Sequence, residues 1–204
     1  RGECSQPCRL PYDLKDERGR TIMAGKHLLS VRDMDLSDDL EALIDAGICS
    51  FKIEGRLKDI VYLRNIVSHY RKLLDLHLSA RSDCRRSSVG NSVINFEPNP
   101  AKSFSRGGST YLFDGKSAGV ASFDTPKALG ERVGKVVRTA AERFLLDNNA
   151  SLATGDGLCF IASGEAVGTN VNAVNGSWIT PNRMEGIKVG TEIFRNYDRL
   201  FATA

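Results

Sequence analysis

The sequence has no apolar run longer than a few residues, whereas a membrane-crossing helix needs about 20. No basic-then-apolar signal segment is visible, so export is not expected. Charge of one sign is not in large excess: 28 Lys and Arg stand against 25 Asp and Glu, a net of +3. That balance is too mild to indicate nucleic acid by itself, although it permits a local basic patch. Cysteines are few, odd in number and unevenly spread (Cys4, Cys8, Cys49, Cys84 and Cys159). A secreted disulfide framework would be even and dense, so a reduced, cytoplasmic setting is the expectation. His-Glu-x-x-His, Gly-x-Ser-x-Gly and the phosphate-binding glycine loops are also missing. The apparatus of a hydrolase is therefore not visible. An initiator Met is absent too, and the opening Arg1-Gly2 reads as an internal boundary, which predicts a piece of a longer protein.

What is present divides in two. Residues 1–78 read as α/β. A short apolar strand is expected over Gly25–Ser30, then a helix with Ser37 as N-cap, acidic residues at its start and Gly47 as its stop. Ile48–Ile53 is apolar and β-branched, which predicts a buried strand ending in Glu54-Gly55-Arg56. Ile60, Leu63, Val67, Tyr70 and Leu74 then recur at helical spacing. Helix, strand, charged turn and helix is the order that a β/α barrel repeats, so the first part is read as the C-terminal part of an incomplete TIM-like barrel. Residues 79–109 are rich in Ser, Arg, Asn, Pro and Gly and suit a linker. Residues 110–204 become all-β. Strands are expected over 132–139, 143–146, 157–162, 166–174 and 192–196, separated by turn residues, with Asn175-Gly176 the strongest hairpin signal. Short strands at such intervals imply a small β-barrel.

Several residues carry chemistry. Cys4-x-x-x-Cys8 offers two soft sulfur donors, which suit zinc or an iron–sulfur cluster, against the plainer reading of two unremarkable thiols. Lys52, Glu54 and Arg56 gather at a predicted strand end, where a barrel opens its active-site mouth; they could bind an anion or form a structural ion pair. His27, in a loop, is a better site candidate than His69 or His77, which fall on or beyond the long helix as surface or packing residues. Cys49 and Cys159 read as small buried hydrophobes and Cys84 as an exposed thiol.

Taken together, "RGECSQPCRLPY", "HLLSVRDMDL", "LIDAGICSFKIEGRLKDIVYLRNIVSHYRKLLD" and "GDGLCF" with "RNYD" resemble the U32 family of collagenase-like peptidases, over residues 1–78 and again over about 104–200. Within that family the segment from His27 to Asp59 looks closest to the subgroup that hydroxylates a cytidine in 23S ribosomal RNA. The resemblance implies a β/α barrel completed by further sequence, and a 4Fe-4S cluster bound by four cysteines, with Cys4 and Cys8 among the ligands and zinc as the alternative. Several relatives carry a cysteine near the position of Asp35. Ribosomal RNA is the implied partner, with neither DNA nor membrane. The β region resembles the small barrels of translation factors, which could present Arg132, Lys135 and Arg138 to RNA phosphates; the plainer reading is that these are solvated strand residues. Two other functions stay open: a peptidase, as the family's name says, and a non-catalytic RNA- or protein-binding module.

Overall fold

The computed structural model describes residues 4–113, 115 and 119–204. A 3-10 turn (Pro7–Arg9) leads into a hairpin of β1 (Tyr12–Lys15) and β2 (Thr21–Lys26). Asp16 shapes its turn by accepting from the Arg18 and Arg20 backbone N–H groups, each at 2.9 Å. β3 (Asp33–Met34) follows, then a 3-10 turn (Ser37–Asp39) that runs into α1 (Leu40–Asp45). The helix ends where expected: the N–H of Gly47 bonds Ile44 O and that of Ile48 bonds Leu43 O, the double hydrogen bond of a Schellman stop. α2 (Ile60–Ser79) is capped by the Asp59 carboxylate, which accepts from Tyr62 N–H at 2.8 Å.

Two expected strands differ. β2 stops at Lys26, and Leu28–Leu29 lie in a turn. Ile48–Ile53 is neither helix nor strand, with Ile48 and Phe51 exposed. A β-strand needs a ladder partner for its backbone groups, and none of the described residues offers one to this segment. The α2 stripe is also only half used. Ile66 is buried, whereas Ile60 is 67% and Val67 50% exposed.

Residues 81–96 hold no helix or strand, with Val89 and Val93 fully open to solvent. The chain then packs back on the first unit. The buried Asn65 side chain donates to Asn99 O (2.6 Å) and Ser103 Oγ (2.9 Å) and accepts from Asn99 N–H. After a 3-10 turn (Pro100–Lys102), β4 (Gly108–Ser109) pairs parallel to β3. Val120, Ser122 and Phe123 exchange backbone hydrogen bonds with Arg32, Ser30 and His27. So residues 99–109 and 120–123 form a wall of the N-terminal unit.

The rest is a closed barrel of β5 (Glu131–Thr139), β6 (Phe144–Leu146), β7 (Gly157–Ala162), β8 (Glu165–Asn175), β9 (Trp178–Pro181) and β10 (Glu192–Tyr197). Around the barrel the order is β10-β5-β6-β9-β8-β7. Alternation explains its filling: Phe144 and Leu146, Leu158 and Phe160, Val171, Ile179 and Ile193 point inward and form one core with Val133 and Val136. Each large side chain so buried contributes about 1.5–3 kcal/mol. The β8–β9 hairpin turns on Gly176-Ser177, one residue later than the Asn175-Gly176 signal suggests. Gly176 has φ 61° while Ser177 does not share that sign, which fits a type II′ turn with glycine first.

One end of the barrel is tied by ions. Buried Arg195 reaches Glu131 (3.1 Å from Nε), Asp156 (3.2 Å) and Asp198 (3.1 Å), and donates to Ser151 O at 2.9 Å. Asp198 also caps α3 (Arg199–Thr203) and pairs with Lys102 at 2.9 Å, linking barrel to N-terminal unit. Gly130 sits against this end: a Cβ there would lie 2.1 Å from Arg195 O.

Candidate functional site

A cleft of about 590 Å³ opens between β3, the turn before α1, α2 and the returning segment. Its walls include Arg32, Asp35, Ser37, His69, Asn99 and Ser109. Asp35 is the hub. Its Oδ1 accepts from Ser37 Oγ–H, from Ser37 N–H (3.1 Å) and from Tyr70 O–H (2.9 Å). Burial pulls this carboxyl upward, but the Ser37 and Tyr70 hydrogen bonds and the nearby His69 hold it below its ordinary range, so it is ionised at neutral pH.

Ser37 Oγ also lies 2.9 Å from His69 Nε2. A hydroxyl has one proton, and an ionised Asp35 takes it. His69 must therefore donate from Nε2–H, an assignment that follows from the network. Burial lowers the His69 pKa below its usual 6.5 despite the attraction of Asp35, so the ring is neutral at pH 7. A serine nucleophile would need the opposite polarity, with the histidine accepting its proton. The trio is built to fix hydrogen-bond directions in a polar cleft, not to generate an alkoxide.

The residues singled out from sequence lie elsewhere. Lys52 Nζ and Glu54 Oε2 are 3.8 Å apart with side chains 88% and 70% exposed, an ion pair in solvent. Glu54 is held below its usual range first by the Arg56 N–H, at 2.9 Å, and then by Lys52. None of the three lines the cleft. His27 is anchored by its backbone N–H to Phe123 O at 3.0 Å, and its Nδ1 is buried without a partner among the described residues. Cys4 is exposed and Cys8 half-buried, with Gln6 between them at φ 54° and its N–H donating to Cys4 Sγ at 3.4 Å. Two free thiols, one receiving an amide hydrogen bond, fit half of a four-thiolate set. Among the described residues no third ligand joins them. Cys49 is exposed rather than buried, because its segment lacks a ladder; Cys84 is half-buried. Cys159 is buried as expected, and burial pushes its thiol up to about 11.

On the barrel, Arg132, Lys135 and Arg138 are all exposed on β5. Arg132 is held by Glu192 at 3.1 Å, and Lys135 stands opposite the same glutamate in register. Arg138 has no carboxylate partner among the described residues.

Sequence reasoning missed the cleft. Asp35-x-Ser37 ahead of a helix has the look of a cap, and His69-Tyr70 that of helix packing; only the fold brings them to one carboxylate. The adjacent polar pair His69-Tyr70 within an apolar stripe was the available signal.

The family model described as Peptidase family U32 matches residues 1–121. The 23S rRNA 5-hydroxycytidine C2501 synthase of Escherichia coli (strain K12) is 44% identical over 189 residues, 90% of this chain and 29% of that protein. The tRNA hydroxylation protein P1 of Bacillus subtilis (strain 168) is 39% identical over 83 residues, 38% of this chain and 20% of that protein. A collagenase of Porphyromonas gingivalis is 28% identical over 83 residues, 41% of this chain and 23% of that protein. The chain thus spans under a third of the length of the curated relatives it matches. No solved structure matches.

Proposed function

Because the chain belongs to peptidase family U32, we propose that it is part of an enzyme that hydroxylates a cytidine in 23S ribosomal RNA. The observation that carries this reading is the 44% identity along 90% of the chain, barrel included, to a protein of that activity. The polarity of the Ser37–His69 pair speaks against a serine peptidase. Ribosomal RNA is then the partner and the cytoplasm the setting; no helix among the described residues is long and apolar enough to cross a membrane.

Cys4 and Cys8 would hold one side of a 4Fe-4S cluster, which supplies redox chemistry when bound. Lys52, Arg56 and Glu54 form an exposed charged loop that would meet the anionic substrate, with Glu54 keeping Lys52 in place. In the cleft, neutral His69 and the Asp35-oriented Ser37 and Tyr70 hydroxyls would hold a polar substrate group by fixed hydrogen bonds and keep the proton on His69 Nε2.

The test uses the full-length protein purified without oxygen and a strain lacking the 23S rRNA cytidine hydroxyl. Iron and sulfide should be present, and Cys4→Ala or Cys8→Ala should remove them together with hydroxylation in the strain. Restored hydroxylation by a cysteine-free variant would sink the cluster. Unmodified ribosomal RNA with an intact, cluster-loaded protein would sink the substrate.

A further inference from the structure

We infer that the outer face of β6 and β9, centred on Trp178, is a stacking platform for single-stranded RNA. Arg138 on β5 is opposite Leu145 on β6, Leu145 is opposite Trp178 on β9, and Trp178 is opposite Asn175 on β8. Opposed residues of neighbouring strands share a face of the sheet. Phe144 and Leu146, the neighbours of Leu145, are buried in the barrel, as is Ile179 beside Trp178. The row Arg138, Leu145, Trp178, Asn175 therefore faces outward.

An indole on the outside of a closed barrel is not needed to fill the core. Here it carries a cation: the Arg143 guanidinium lies 4.7 Å from the ring centroid. Arg138 and Arg143 flank the tight turn at 140–143, closed by Ala140 N–H to Arg143 O at 2.8 Å. Neither guanidinium has a carboxylate partner among the described residues, in contrast to Arg132, which Glu192 holds. Glu142, in the turn itself, is the opposing charge. On the far side Ser177 Oγ donates to Asn149 Oδ1 at 3.4 Å, bringing a second amide to the turn that follows Asn175.

A half-buried aromatic ring with one carboxylate-free guanidinium stacked over it, a second arginine in its row and amides beyond has the chemistry of a site for bases on a charged backbone. A base stacks on the Arg143 guanidinium plane or displaces it from the indole, Arg138 meets a phosphate, and the amides reach base edges. A protein partner of this site would need an acidic, flat aromatic surface, for which nothing here speaks. The choice of RNA over DNA rests on the functional reading above, whereas the stacking geometry does not.

Trp178 is the sole tryptophan, so its emission reports this patch alone. A ten-nucleotide pyrimidine-rich single-stranded RNA should quench it saturably in the 204-residue chain, and inorganic polyphosphate of equal charge should not. Trp178→Ala should weaken binding by about tenfold or more, read by anisotropy of labelled RNA. Trp178→Phe, which keeps a ring on the sheet, should weaken it less. Arg138→Ala and Arg143→Ala should each lower the salt slope by about 1, and Glu142→Gln should tighten binding. RNA binding that leaves Trp178 emission unchanged, equal quenching by polyphosphate, or no RNA binding at all would overturn the platform. A deoxy-oligonucleotide bound equally well would leave the platform and remove the preference for RNA. Loss of the platform would not touch the hydroxylation reading, which is decided on the ribosomal RNA itself.

Discussion

Arg195 is the residue on which most of the barrel's buried charge converges. Removing it leaves Glu131, Asp156 and Asp198 facing one another in a partly dry site. Arg195→Met should cost about 3–5 kcal/mol of barrel stability, measured by urea unfolding, because a broken buried pair leaves uncompensated charge. Lysine should not restore it, since one ammonium cannot serve three carboxylates and a carbonyl. Burial pulls the Asp198 carboxyl up, but the Phe201 N–H, Lys102 and Arg195 together hold it below the usual range. A depressed carboxylate stabilises the fold above its unfolded pKa, and that share is lost as pH falls through the folded value. In the cleft the sign is different in origin but the same in direction. His69 is kept neutral by burial, so the unfolded chain takes up its proton first and stability drops as pH falls below 6.5. A proton NMR titration should place His69 below 6.5, and Asp35→Asn should lower it further by removing the attraction that Asp35 supplies. A His69 that titrates above 6.5 would contradict the hydrogen-bond directions assigned to Ser37.

Elements of the barrel were legible because their signals are local. Alternating residues and turn-formers mark Gly157–Ala162 or Glu192–Tyr197 without knowledge of any neighbour. The closing order was not legible, because β10 pairs with β5 across some 60 residues and nothing local states it. Ile48–Ile53 is the converse case: its apolar, β-branched pattern asks for a ladder that the described residues do not provide. Ser37 belongs with it, since a serine ahead of an acidic first turn reads as a cap, and only the distant His69, with Tyr70 donating to the Asp35 carboxylate that Ser37 also bonds, gives it another task. Two glycines test the barrel's turns. Gly130→Ala should destabilise by at least about 2 kcal/mol, because the new Cβ meets backbone at Arg195 that cannot swing aside. Gly176→Ala, with open space around it and only a positive φ to satisfy, should cost roughly 1 kcal/mol. Thermal melts of the pair that rank them in the other order would refute the account of the two turns.

Across the whole molecule, apolar burial is uneven. The barrel owns the hydrophobic core, whereas the N-terminal unit buries Leu40 and Ile66 and leaves Ile22, Met34, Leu57 and Ile60 open. Hydrogen exchange should accordingly find the barrel strands β7 and β8 the slowest and α1 the fastest of the regular elements. Between the two lies the exposed segment 81–96, which trypsin should enter after Arg85. The two pieces should then elute together, since Asn65 still grips Asn99 and Ser103, and β3 still pairs with β4. Separate elution would mean that those contacts are too weak to hold. The same return of residues 99–109 and 120–123 constrains anyone who cuts or swaps these parts. The N-terminal unit is visited twice by the chain, so no single point between Ser79 and Ser109 divides it from the barrel. A graft of the barrel begins after Thr125, and a deletion that ends at Ser109 takes β3's partner with it, leaving the cleft without one of its walls.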